Sequence, residues 1–215
     1  MPASRVAARA LATSALALAA AWSSPASATV VKAMSLMDKA QEAPVILHAV
    51  VQGTETRWMV PGARVETVVT LEVIESIKGG FTRGERVTFR RGGGRIGDFE
   101  QTAPGLSQYE AGEEVIMFLE PFGATLVAIG IGIGKYEVEQ RQNGRFVEHH
   151  PDVAVLRYHG DKASPDDIQP HEAMTPEPLP DFLKRLRSYV RGFGVKKVAE
   201  PGAVFEKRPA LKKAN

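Results

Sequence analysis

Between positions 64 and 75 apolar and polar side chains alternate, with Val65, Thr67, Val69, Leu71 and Val73 on one side and Arg64, Glu66, Thr70 and Glu72 on the other. A period of two is the signature of a half-buried strand. Residues 86–91 repeat it, with Val87 and Phe89 facing one way and Arg86, Thr88 and Arg90 the other. Two stretches, 45–51 and 114–120, are almost continuously apolar, which suits strands covered on both faces. Residues 126–139 read as one long strand carrying Gly130, Gly132 and Gly134 at every second position. A face without side chains lets a sheet bend sharply or another backbone approach. Residues 145–149 then pair back across Gln142-Asn143-Gly144, a hairpin with Asn-Gly at its tip.

The helical period is rare. Leu36, Met37 and Ala40 behind a Ser35 cap predict two turns over 35–42, a lid that stops before Pro44. Residues 181–191 predict an amphipathic helix, with Phe182, Leu183, Leu186, Tyr189 and Val190 on one face, Lys184, Arg185, Arg187 and Arg191 elsewhere, and Gly192 as its stop. Five or six strands with so little helix between them cannot form a βαβ sheet. The fold class expected is mainly all-β: a small, five- to six-stranded antiparallel barrel of OB-like type with a short N-terminal helix and a C-terminal amphipathic helix.

The ends of the chain change the picture. Residues 1–28 combine Arg5 and Arg9, an apolar run from Leu11 to Trp22 and the triplet Ala26-Ser27-Ala28, the layout of a secretory signal peptide cleaved after Ala28. The protein is therefore expected to be exported, periplasmic or extracellular. Its apolar run is shorter than the roughly 20 residues that span a bilayer, so no transmembrane segment is expected. Cleavage removes two of 27 basic residues and none of 25 acidic ones, which leaves a mature net charge of zero. The last 20 residues hold six basic and two acidic side chains, so the remainder carries a net −4. A body of that sign has no general footprint for nucleic acid. The expected organisation is a signal peptide (1–28), an OB-like barrel domain (29–150), a Pro-rich linker (151–178), a helix (179–192) and a basic, disordered tail (193–215).

The runs 43–53, 67–75, Ser76-Ile77-Lys78-Gly79, Gly84-Glu85-Arg86-Val87 and 112–119 together resemble the layout of exported bacterial OB-like β-barrel proteins of unassigned function. More distantly they resemble the netrin-type module of tissue metalloproteinase inhibitors. The resemblance covers roughly residues 43–139 and implies a five-stranded Greek-key barrel. In those inhibitors an N-terminal cysteine binds the protease zinc. This chain has no cysteine, so no site residue carries over.

Absent cysteines also exclude disulfides, zinc-thiolate sites, iron-sulfur clusters and a cysteine nucleophile. Gly92-Gly93-Gly94-Arg95-Ile96-Gly97 has dinucleotide-loop spacing, but Pro104 and Gly105 interrupt the helix that such a loop must open, so it reads as a turned loop running to about Gly112. Gly134-Lys135 lacks the remaining P-loop positions, with Ile129 and Tyr136 where Gly and Ser or Thr are required. No serine sits in G-x-S-x-G, and the adjacent Glu113 and Glu114 point to opposite faces of a strand. His149, His150, Asp152 and His159 form the densest polar cluster, which reads as a solvated loop or as ligands for a divalent metal. His48, inside an apolar strand, reads as a hydrogen-bonded core or rim residue. Arg90, Arg91 and Arg95 form an exposed basic spot.

No catalytic residue and no cofactor emerge from these patterns. The function expected is an exported non-catalytic binding or protein-interaction module presenting its loops at 53–63 and 92–112. A divalent-metal-dependent hydrolase built on the histidine cluster is the alternative, and an inhibitor of an exported protease the third. The partner expected is another exported protein or a cell-envelope component, with weak membrane-surface contact through the helix at 181–191.

Overall fold

A computed structural model describes residues 30–102, 105–150, 154–156, 168–170 and 174–192. The expected signal peptide and its expected cleavage after Ala28, together with Asp152, His159 and the basic tail at 193–215, lie outside the described residues.

The molecule is mainly β, built on a large sheet with short helices. After strand β1 (Val30–Lys32) comes helix α1 (Leu36–Glu42). Ser35 caps α1: its Oγ accepts from Asp38 N–H at 3.1 Å while the Asp38 carboxylate accepts from Ser35 N–H at 2.9 Å. This reciprocal bonding satisfies two otherwise orphaned donors and holds the Asp38 carboxyl below its ordinary range. Strands β2 (Val45–Val60), β3 (Arg64–Lys78) and β4 (Arg86–Gly92) then form an antiparallel meander. A hairpin of β5 (Gly94–Ile96) and β6 (Phe99–Gln101) follows, then β7 (Glu114–Phe122) and β8 (Thr125–Ala128). Strands β9 (Lys135–Arg141) and β10 (Gly144–Glu148) come next, and β11 (Ala154–Leu156), β12 (Ile168–Pro170), β13 (Glu177–Pro178) and helix α2 (Leu179–Gly192) complete the order.

The main sheet has the order β13-β10-β9-β7-β2-β3-β4-β8, with β8 also paired to β7. It therefore has eight strands and not five or six, because β9, β10 and β13 extend it beyond β7. The sheet is not wholly antiparallel either: β8 meets β4 in parallel, and β1 meets β11 in parallel in a separate three-stranded sheet. Segments expected to be linker at 151–178 supply β11, β12 and β13.

Two apolar layers explain the continuous hydrophobic runs. Val45, Leu47 and Ala49 of β2 and Val115, Met117 and Leu119 of β7 join Val69, Leu71, Val73, Val87 and Phe89 in one buried cluster. The alternate residues Ile46, Ile116 and Phe118 face the opposite way, into a second cluster with Ala40 and Ala43 beside α1 and with Phe182, Leu183 and Leu186 of α2. Burying apolar area on both faces is the main stabilising term, at about 25 cal/mol per Å2.

The strand expected across 126–139 is broken. Its Gly130, Ile131, Gly132 and Gly134 form a turn between β8 and β9. A Cβ at Gly132 would lie 2.2 Å from the Gly105 carbonyl oxygen, so close backbone approach does occur, but at the expense of strand pairing. The hairpin tip is Gln142-Asn143, with Gly144 already paired to Arg141 at φ 134°.

Candidate functional site

The two apolar layers do not reach the far end of the long β2–β3 ribbon. The register shift between Val51 and Gly53 leaves Gln52 as an extra residue, so beyond it Thr54, Thr56 and Trp58 are the positions opposite Val69, Thr67 and Val65. Where the facing row is aliphatic at one end of the sheet, it is threonine at the other. Thr67 Oγ1 donates to the Gly93 carbonyl at 2.7 Å, so the 3.2 Å contact between the hydroxyls is Thr56 donating to Thr67. The glycine-rich segment fits here because it has no side chains: a Cβ at Gly94, whose φ is 138°, would sit 2.5 Å from Thr67 Oγ1. Gln101 Oε1 accepts from Val65 N–H at 3.0 Å, and Phe99 rests against Trp58 with ring centroids 4.8 Å apart. The segment 92–101 is therefore a seated hairpin in place of the loop expected, and no helix opens from it for a dinucleotide.

Three depressions meet at Arg91. A polar cavity of about 220 Å3 is lined by Thr54, Thr56, Thr67, Gln101 and Tyr109 as well as Arg91. A second depression, about 360 Å3, adds Phe122, Val127 and Ile131, and a third, about 400 Å3, adds Met59, Arg64 and Arg90. Among the described residues the large apolar side chains left exposed are Met37, Trp58, Met59, Val60, Phe122 and Ile131, and all but Met37 lie at this end. Ile131 has a φ of 62°, a conformation costing a β-branched residue on the order of 1–3 kcal/mol.

The expectation of three exposed arginines is corrected for Arg91. It shares the parity of Val87 and Phe89, is half-buried, and donates from Nη1 to the Ser107 carbonyl at 3.0 Å. Burial lowers the Arg91 pKa, with Tyr109 acting in the opposite sense. Arg90 instead sits 3.6 Å from Glu66, a buried carboxylate that also accepts from Arg57 at 2.6 Å, and Arg95 pairs with Glu100 at 3.1 Å.

No family model, curated protein or solved structure matches this chain. The geometry alone therefore carries the functional argument.

None of the described histidines, His48, His149 and His150, lines the cavities at Arg91. His149 is buried, stacked on Tyr136 at 4.1 Å, with Nε2 2.9 Å from the Ile133 carbonyl. A carbonyl only accepts, so that nitrogen carries the proton and is not a free metal-ligand lone pair. His150 is half-exposed and pairs with Glu148 at 2.9 Å. Among the described residues no three His, Asp or Glu side chains gather to hold a metal. His48 is buried and bonded to Glu114 at 2.6 Å, and Glu114 also accepts from Arg145 at 2.9 Å. Glu113 instead pairs with Lys135 at 2.5 Å.

Sequence patterns missed a buried lysine. Lys39 falls three residues after Leu36 and four before Ala43, on the apolar stripe of α1, and is 1% exposed. Its Nζ donates to the Ile133 carbonyl at 2.9 Å and lies 4.5 Å from the centre of the Tyr136 ring. Burial pushes its pKa down to about 7 and raises that of Tyr136. The helical spacing was the available signal, masked by the habit of assigning lysine to solvent. The basic face expected on α2 is partly spent: Arg187 forms a two-bond pair with Glu75 at 2.9 and 2.6 Å, and Arg185 pairs with Glu177.

Proposed function

We propose that this chain is an exported, non-catalytic binding module, an OB-like barrel whose contact surface is the end bearing Trp58, Met59, Phe122 and Ile131. The observation that carries the reading is the segregation of exposed apolar side chains at that end, around a group of arginines. Patches of this kind mark interaction sites, and aromatic and arginine anchors dominate their energetics. The barrel reading draws on the pairing circuit, in which β7, β2, β3, β4 and β8 follow one another and β8 returns to β7. Export rests on the tripartite pattern of residues 1–28. Among the described residues no helix is long and apolar enough to cross a membrane.

The test is capture of a partner from the exported fraction by the tagged mature protein and by a Met59→Asp/Phe122→Asp variant. The variant should retain its thermal midpoint and lose at least tenfold in capture. Equal capture by the variant would remove the surface assignment. Turnover on a substrate panel with stoichiometric bound divalent metal would replace the reading with the hydrolase, and capture of a protease with its inhibition would specify the third function.

A further inference from the structure

The polar cavity behind this surface contains a charge that no described residue neutralises. Among its lining residues, Arg95 and Glu100 pair with each other, which leaves Arg91 as the uncompensated charge. Among the described residues Arg91 has no carboxylate partner, and its Nε is buried without a hydrogen-bond partner. Nη1 is committed to Ser107, and Nη2 makes no bond to a described residue. That nitrogen can give a carboxylate or phosphate a charge-assisted hydrogen bond. A half-buried guanidinium whose charge no described carboxylate balances is partly desolvated, and an arriving oxyanion supplies the missing opposite charge.

The other walls fit the same ligand chemistry. Gln101 spends its oxygen on the Val65 N–H, so its amide NH2 remains as a donor. Thr56 and Thr67 pass their protons along the relay to Gly93, so they offer lone pairs to a hydroxyl or amine on the ligand body. Gly94 keeps this wall close and free of side-chain bulk.

We propose that the Arg91 cavity binds the oxyanion group, carboxylate or phosphate, of a small polar molecule. The inference rests on reading the Trp58–Phe122 end as the binding end, and it locates the ligand in the barrel wall behind the outer apolar surface.

Titration of the 15N-labelled mature protein, at constant ionic strength, with inorganic phosphate, with succinate and with chloride tests it through the arginine Nε–Hε signals. The Arg91 signal, assigned by its absence from an Arg91→Lys variant, should move saturably with phosphate or succinate, at least tenfold more tightly than with chloride. The arm that saturates assigns the oxyanion. Leu106→Trp, which fills the cavity beside an intact Arg91, should keep the Arg91 signal and abolish the saturable shift. Uniform movement of all arginine signals, or saturation by neither oxyanion, would overturn the proposal. Partner capture through Met59 and Phe122 reads the outer surface separately. Retained capture without an oxyanion shift refutes the cavity alone, and a saturable shift with capture indifferent to the surface substitutions refutes the surface alone.

Discussion

Phe118 and Phe122 stand four residues apart on the same face of β7, yet one is 0% exposed and the other 73%. The difference lies in what covers that face. At Phe118 the sheet is roofed by α1 and α2, whose Ala40, Phe182 and Leu186 fill the space above Ile46, Ile116 and Phe118. At Phe122 the helices have ended, and the strand runs on into the turn that leads to β8. The opposite face of the wall changes at the same end, from Leu71 and Phe89 to Thr67 and Arg91. One sheet thus buries its apolar side chains at the roofed end and leaves Trp58, Met59 and Phe122 exposed at the open end.

The largest test of that contrast is a pair of truncations read by urea denaturation. Phe118→Ala should cost about 3–5 kcal/mol, the range for removing a buried aromatic ring, whereas Phe122→Ala should stay within about 0.5 kcal/mol. Comparable losses at the two positions would mean that Phe122 is core.

A second test uses Lys39. Its folded-state pKa of about 7 lies below the ordinary 10.5, so between those values the unfolded chain binds a proton that the folded chain lacks. Stability should therefore rise as pH increases from 7 to 9.5, by about 3 kcal/mol from this group, and level off below pH 7, where the folded lysine is charged as well. Lys39→Met should flatten that slope. An unchanged slope would show that the charge is not buried as described.

Smaller effects belong to the open end and to the rim of the roof. Ile131→Gly removes a side chain from the left-handed conformation and should raise stability by about 1 kcal/mol. A loss of that size would show that the isoleucine packs inward. Glu75→Gln, which breaks the half-exposed pair to Arg187, should cost only about 0.5 kcal/mol and less in high salt. A loss above about 2 kcal/mol would make that pair a main anchor of α2.

Much of the roofed end was legible before the structure. Alternation placed Val69, Leu71 and Val73 on one buried row, and continuous apolar runs marked β2 and β7 as doubly covered. Ser35 and the 179–192 stripe announced the two helices. The open end was harder, because exposure of Trp58, Met59 and Phe122 depends on where the covering helices end, and the glycine-rich segment 92–97 carries no period. Arg91 shares the parity of Val87 and Phe89, so alternation places it on the inner face and not with the exposed Arg95. The change of row at Gln52 left no trace, since a bulge is a property of pairing between strands. Tyr109 reaches the cavity from a segment without strand or helix pattern. The broken strand at 129–134 shows glycine ending a ladder that alternation alone would have continued.

The central claim, that the open end binds and the roofed end supports, is tested most directly by amide hydrogen exchange on the protein alone and on the captured complex. Added protection should fall on residues 54–60, 90–96 and 120–128 and leave 36–42 and 179–192 unchanged. Protection concentrated on the two helices, with the open end exchanging as in the free protein, would contradict it.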